Sequence, residues 1–140
     1  MGRVVGIDYG NKRVGVAVTD PAQIFAFPLN TFKASEIDKF IADYVASENV
    51  EAFVVGYPVQ LNNEPSESVR YVNPFIKKLR KTYPGLPVYL VDERFTSQMA
   101  LQTMIDGGMK KKGRQNKMII DMISASIILQ SWIDGKASKK

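Results

Sequence analysis

The sequence predicts a single α/β domain built on a mixed five-stranded sheet with helices on its faces. Three consecutive β-rich segments joined by short links indicate an antiparallel meander. Two short apolar strands then alternate with segments of helical periodicity, which is typical of crossover connections. The predicted order βββ-α-β-α-β-α-α runs without a repeat or linker through 140 residues, a length typical of one domain.

The meander is predicted over residues 3–8, 13–19 and 24–32. Gly10 and Asn11 suit the first turn because both adopt positive φ readily. Pro28 lies in the third segment, and proline cannot donate a hydrogen bond to a neighbouring strand. We therefore expect this strand to lie at a sheet edge or to contain a bulge.

Apolar spacing defines the later elements. Ser35 is a candidate N-cap for a helix whose apolar stripe comprises Ile37, Phe40, Ile41, Tyr44 and Val45. Residues 51–56 and 88–91 are mostly apolar and are predicted to be strands buried on both faces. Further helices are predicted over about 67–82, from Thr96 or Ser97 to about Ile105, and from about Lys117 to Ile133. The last is apolar on most sides, so we expect it to be buried.

The composition excludes several kinds of chemistry. The chain has no cysteine and no histidine, which excludes disulfides, thiolate or histidine metal sites and serine–histidine pairs. An enzyme of this composition must use carboxylates, lysines, hydroxyls or an oxygen-bound metal. No signal peptide and no run long and apolar enough for a membrane span is predicted, so we expect a cytoplasmic protein without a membrane partner.

Positive charge is concentrated at one end of the sequence. Residues 109–140 carry eight lysines and arginines against two aspartates, whereas the remainder is close to neutral. This asymmetry predicts a polyanionic partner. We expect residues 1–135 to form the domain and the basic residues 136–140 a solubilising tail.

Carboxylates follow the ends of two predicted strands and interrupt one apolar helix. Asp8 ends the first strand, Asp92 and Glu93 end the last, and Asp121 lies near the start of the final helix. Alternation places Asp92 and Glu93 on opposite faces, without deciding which faces Asp8. Each acid alone has an ordinary structural explanation. Asp8 could form a turn or pair with Arg13 or Arg94, Asp92 or Glu93 could pair with Arg94, and Asp121 could be an ordinary acid of a helix's first turn.

Together these acids predict a metal site. We expect the first strand to be central, and sites in open α/β sheets form where strands stop at a shared edge, so the ends of the first and last strands can lie close together. Carboxylates grouped without histidine or cysteine suit Mg²⁺ or Mn²⁺, and one or two such ions could support phosphodiester hydrolysis. Small residues Ser124, Ala125 and Ser126 would let the final helix approach the sheet.

Several motifs resemble those of the YqgF/RuvX family, in order and over nearly the whole chain. The opening Gly6-Ile7-Asp8-Tyr9-Gly10-Asn11-Lys12-Arg13-Val14-Gly15 is similar to its first signature. Val55-Gly56-Tyr57-Pro58 resembles its mid-chain Gly-Leu-Pro loop, and Asp92-Glu93-Arg94-Phe95-Thr96-Ser97 resembles a third motif. Ile120-Asp121 followed by Ser124-Ala125 resembles the fourth. Residues 60–64 and Phe95 depart from the family pattern.

The resemblance implies an RNase H-like fold and a metal-dependent nuclease. Its implied substrate is the 5′ end of pre-16S rRNA or, alternatively, a Holliday junction in DNA. The catalytic and metal-binding acids carried over by motif are Asp8, Glu93 and Asp121, which selects Glu93 over Asp92 by analogy alone. A junction resolvase would be a two-fold homodimer making paired cuts.

Basic and aromatic residues provide candidate contacts to structured RNA or branched DNA. Lys12 and Arg13 flank Asp8 across the turn, where they would either bind phosphate or form a solvated hairpin tip. Tyr57 could stack on a base, although packing within a loop is the simpler explanation. The remaining candidates are Arg94, Lys110, Lys111, Lys112, Arg114 and Lys117.

Two other functional classes remain open. The strand–Asp–Gly opening is similar to the first phosphate loop of actin- and Hsp70-like ATPases, but a second lobe and second phosphate loop are not evident. A non-catalytic RNA-binding module would also explain the basic loop. Three converging acids would disfavour that module, because without a metal they would repel phosphate.

Overall fold

The computed structural model describes residues 2–10, 12–57, 69–92 and 117–138. The described elements follow the predicted order, with helix α3 coming directly after strand β5 among them. They are β1 (Arg3–Tyr9), β2 (Arg13–Thr19), β3 (Ala26–Lys33), α1 (Ile37–Ser47), β4 (Val50–Tyr57), α2 (Val69–Thr82), β5 (Val88–Asp92) and α3 (Lys117–Ser138). The helix predicted between Thr96 and Ile105 and the basic loop lie outside the described residues.

The five strands form one mixed sheet in the order β3-β2-β1-β4-β5. Strands β1, β2 and β3 pair antiparallel, while β4 runs parallel to β1 and β5 runs parallel to β4. The predicted meander with two crossover strands is therefore confirmed. Strand β3 lies at an edge, and its register with β2 shifts beside Pro28, so both consequences expected of that proline are present.

The two faces of the sheet are covered by different helices. One, which we call the α1/α2 face, packs large side chains of the strands against Ile37, Ile41, Phe75 and Ile76. The other, the α3 face, packs Val4, Ala17, Ala52 and Val54 against Ala125, Ile128 and Leu129. Alternation along each strand assigns successive residues to opposite faces.

Two local predictions are wrong. Glu36, not Ser35, is the N-cap of α1; its side chain accepts the Lys33 amide at 3.1 Å and makes no cap hydrogen bond. Strand β5 is not buried on both faces, because it lies at the second edge and leaves Tyr89 and Leu90 more than 40% exposed. Propensity identifies a strand without showing whether it is central.

Helix α3 also differs from its prediction. It continues past Ile133 to Ser138, and within it Met118 is half exposed, so the helix is not buried on most sides. The expectation that no segment could span a membrane also needs correction. The window Met118–Gly135 reaches a mean hydropathy of 1.2 over 18 residues, enough by length and composition. This helix carries Asp121 and Asp134 and packs one side against the sheet.

Candidate active site

Asp8 lies on the α3 face, near the carboxyl end of central strand β1. It pairs in register with Gly15 of β2, and paired residues of antiparallel strands point to the same face. A Cβ built on Gly15 would point at the backbone of Asp121, and one built on Gly6 would meet Leu129, so both glycines face α3. Asp8 follows Gly6 by two residues and shares its face.

Gly15 brings the start of α3 into contact with the sheet. An added Cβ would lie 2.0 Å from the Asp121 carbonyl oxygen and 2.9 Å from the Met122 nitrogen, both backbone atoms that cannot move aside easily. Only glycine therefore permits this approach. Because residues directly opposite in a pair have Cβ atoms about 5 Å apart, the backbone of Asp121 lies close beside Asp8.

The first turns of α3 are fixed to the meander by side chains as well. Thr31 is buried in β3, and its hydroxyl donates a hydrogen bond to the carbonyl oxygen of Met118. Further along the helix, Ser124 and Ala125 are both buried. Their small side chains fit the prediction that α3 comes close to the sheet. The position of Asp121 is thus set by contacts to both β2 and β3.

Asp121 forms an ion pair with Arg13. The Arg13 Nε donates to Asp121 Oδ2 at 2.8 Å, and the two side chains are 36% and 24% exposed, respectively. Arg13 begins β2 two residues before Gly15, so alternation places it on the same face as Asp8. The structure therefore pairs Arg13 with Asp121, where the sequence offered Asp8 as the alternative ion-pair partner.

The packing of β5 separates Asp92 from Asp8. Tyr89 lies on the α3 face, where its ring centroid is 5.3 Å from that of Trp132, and Val91 packs on the same face. Asp92 alternates with these residues and lies on the α1/α2 face. Alternation alone left this choice open. The neighbouring acid, Glu93, lies outside the described residues.

The candidate nucleic-acid contacts fall into two groups. Lys12 is exposed and comes directly before Arg13, the first residue of β2. Tyr57 lies on the α1/α2 face, and its hydroxyl donates to Asn73 Oδ1 at 3.0 Å. Lys117 is the first residue of α3. The others lie outside the described residues: Arg94, Lys110, Lys111, Lys112 and Arg114.

Two of the three predicted metal-binding acids can be placed. Among the residues described, no group of three acids could hold a metal ion. Asp8 and Asp121 are hard oxygen donors on one face, of the type that Mg²⁺ and Mn²⁺ prefer. The Arg13 guanidinium pairs with the second of these carboxylates. The described residues therefore fit a carboxylate-bound divalent ion.

Sequence comparison identifies the family. The model of the family described as "RuvX: Holliday junction resolvase" matches residues 2–135. The chain belongs to the RuvX family. A relative from Phocaeicola vulgatus, named "Putative pre-16S rRNA nuclease", is 54% identical over 97% of this chain and 98% of its own length. A relative of the same name from Bacteroides thetaiotaomicron is 51% identical over 97% of this chain and 99% of its own length.

Solved structures agree on the fold of this RuvX chain. Thermus thermophilus RuvC in complex with a Holliday junction substrate matches with a TM-score of 0.59 and 18% identity, covering 98% of this chain and 96% of RuvC. A second RuvC structure from the same organism matches with a TM-score of 0.53. The fold is RNase H-like, which confirms the predicted fold class.

The sequence reasoning missed the part played by Gly15 and Gly6. Both lie inside strands, where glycine weakens the sheet and commonly marks the close approach of another backbone. Their spacing carried the signal, since Gly6 is two residues before Asp8 and Gly15 two residues after Arg13. In this RuvX chain the glycines mark the surface on which α3 places Asp121.

Proposed function

We propose that this chain is a Mg²⁺- or Mn²⁺-dependent endonuclease that hydrolyses nucleic-acid phosphodiesters and processes the 5′ end of pre-16S rRNA. The observation that carries this proposal is the meeting of Asp8 and Asp121 on one face, beside the cationic side chain of Arg13. The names of its relatives support the choice of substrate.

In this mechanism the acidic side chains hold the metal ion, and the basic side chains orient the nucleic acid. Asp8 and Asp121 would hold the ion, with Glu93 as the third acid by family resemblance. When bound, such an ion would supply charge neutralisation at the scissile phosphate and would lower the pKa of an attacking water. Lys12 and Arg13, at the edge of the site, would bind the phosphate backbone and fix its direction. The described geometry supports a placement of substrate over the carboxyl end of β1.

Substitution of Asp8 tests the assignment against a matched control. Asp8→Asn removes a metal-binding charge with little change in volume and should reduce Mg²⁺-dependent cleavage to background. Asp92→Asn changes the same chemical group at the end of β5, two strands from β1 and on the α1/α2 face, and should retain cleavage. Cleavage of labelled precursor rRNA is measured together with RNA binding and the melting temperature of each variant.

The two variants must differ for the proposal to stand. Undiminished cleavage by Asp8→Asn would exclude Asp8 from the catalytic site. Equal loss in both variants, with unchanged melting temperatures, would place the chemistry elsewhere. If neither Mg²⁺ nor Mn²⁺ changes the melting temperature or produces cleavage of the wild-type chain, a non-catalytic RNA-binding role becomes the better explanation.

A Holliday junction resolvase is the second candidate, favoured by the family description and by the similarity to RuvC. Labelled four-way DNA junction, single-stranded RNA and precursor rRNA incubated in parallel distinguish the two. Paired symmetrical cuts in the junction, together with a dimer in sedimentation, would favour resolution. Cleavage confined to the precursor rRNA would favour RNA processing.

A further inference from the structure

We propose that Arg13 holds Asp121 in place of the metal ion, and that it exchanges this carboxylate for a substrate phosphate once the ion is bound. The proposal rests on the metal-dependent function proposed above and adds a coupling residue to it. It concerns a change of partner by one side chain, which links metal binding to substrate binding.

The arrangement of these acids gives the site a reason to contain a cation. Asp8 and Asp121 lie on the same face and close together, and two neighbouring carboxylates repel each other unless a positive charge lies between or beside them. Arg13 supplies that charge through the 2.8 Å contact between Nε and Oδ2. Its position at the start of β2 lets it reach Asp121 from the edge of the site.

The guanidinium and a divalent ion compete for this carboxylate. One oxygen of Asp121 already accepts a hydrogen bond from Arg13, and a second cation at the same group would be repelled by the first. Binding of the ion must therefore weaken the Arg13–Asp121 pair. Because linkage is reciprocal, removing Arg13 must strengthen the binding of the ion.

A released Arg13 is suited to phosphate. Guanidinium presents several donors in a planar fork that matches phosphate oxygens. The Arg13 side chain is 36% exposed, so it can reach solvent without disrupting the core, and exposed Lys12 precedes it. The two residues together would then present two positive charges at the hairpin.

The first experiment measures binding of Mn²⁺ alone by calorimetry, without nucleic acid. Arg13→Gln should bind Mn²⁺ roughly fivefold more tightly than wild type, the factor for a partly exposed ion pair near the upper end of the usual range. Lys12→Gln removes the same charge one residue away without breaking this pair and should stay within about twofold of wild type. Arg13→Lys keeps a cation and should lie between Arg13→Gln and wild type.

The second experiment measures nucleic-acid affinity by fluorescence anisotropy over a range of salt concentrations. With Ca²⁺ present and cleavage suppressed, Arg13→Gln should lower the slope of log affinity against log salt by about 0.9 for a duplex or about 0.7 for a single strand, the loss of one phosphate contact. In EDTA the slopes of wild type and Arg13→Gln should be equal, because Arg13 of the wild type stays paired with Asp121 and does not contact phosphate.

The outcomes separate this inference from the proposed function. If wild type binds no Mn²⁺ and cleaves no substrate, the metal-dependent function fails and this inference fails with it. If wild type binds Mn²⁺ but Arg13→Gln binds it equally or more weakly, only the exchange is overturned; weaker binding would make Arg13 a residue that orients Asp121. Equal salt slopes for wild type and Arg13→Gln in Ca²⁺ would show that Arg13 makes no phosphate contact.

Discussion

The two faces of the sheet use the same strands for different purposes. Along β1, Val5, Ile7 and Tyr9 point to the α1/α2 face, where Ile7 is fully buried and Tyr9 stacks on Phe75 at a centroid distance of 4.5 Å. The intervening Gly6 and Asp8 face α3. The α1/α2 face is filled by large apolar and aromatic side chains. On the α3 face, Gly6 and Gly15 have no side chain, and the helix therefore lies close to the strands.

This difference separates stability from chemistry. Most of the large, fully buried side chains belong to the α1/α2 face, including Phe53, Ile7 and Ile37. The α3 face accommodates Asp8, Arg13 and Asp121, whose charges would be costly in such a core. Substitutions can therefore test the two faces separately.

The largest effect is expected on the α3 face, from Gly15→Ala. The new methyl group would overlap the Asp121 carbonyl, so α3 must move away from the sheet. We expect a loss of about 3 kcal/mol in the free energy of unfolding, measured by urea denaturation, together with reduced cleavage. Gly85→Ala is the matched control, because nothing lies within 4 Å of an added Cβ there.

A stable Gly15→Ala variant would contradict the close approach of α3. If Gly15→Ala and Gly85→Ala both change stability by less than about 0.5 kcal/mol, helix position does not depend on the missing side chain. Loss of cleavage without loss of stability would instead show that the helix moves at little energetic cost.

A smaller effect is expected at high pH, and it belongs to the α1/α2 face. Burial raises the pKa of Tyr9 above its ordinary value of 10.0, and the negative charge of Asp38 adds to this, although Lys78 opposes it. Burial also raises the pKa values of Tyr44 and Tyr83 on the same face. Raised pKa values mean that the unfolded chain loses these protons first.

Stability should therefore be complete below pH 10 and should fall as the pH rises through the folded-state pKa values of these tyrosines. Urea denaturation at successive pH values measures this slope. Tyr9→Phe keeps the ring stacked on Phe75 but removes its ionisation, so the slope should become shallower. An identical slope in Tyr9→Phe would assign the alkaline loss to other groups.

The smallest effect is expected from Tyr57→Phe. It removes the 3.0 Å hydrogen bond to Asn73 on an exposed part of the α1/α2 face, which should cost about 0.5 kcal/mol in urea denaturation. Nucleic-acid affinity, measured by anisotropy, should not change. A clear loss of affinity would show that the hydroxyl contacts substrate, and would extend the binding surface beyond the α3 face.

Sequence periodicity predicted the sheet well because each strand carries its own pattern. Pro28 indicated an edge or a bulge, and the run 52–55 indicated a strand buried on both faces; both are present. The same reasoning failed for β5, since an apolar run does not reveal whether a further strand pairs beside it. It also failed at the start of α1, where the N-cap is Glu36 and not Ser35.

The candidate site was predicted only in part, because its decisive contacts are distant in sequence. Alternation could place Asp92 and Glu93 on opposite faces, but assigning the faces required the contact of Tyr89 with Trp132. Arg13 and Asp121 are 108 positions apart, and local pattern cannot show that they meet. Asp8 and Asp121 were recognised because each is a charge in an apolar run, which is a local signal.

The separation of Arg13 and Asp121 has a consequence for protein synthesis. A ribosome adds Arg13 to the chain 108 residues before it reaches Asp121. Until α3 has left the exit tunnel, Val4, Ala17, Ala52 and Val54 lack the helix that covers them. A nascent chain therefore carries Arg13 before Asp121 has been made, and the site that contains both can form only after translation has passed the final helix.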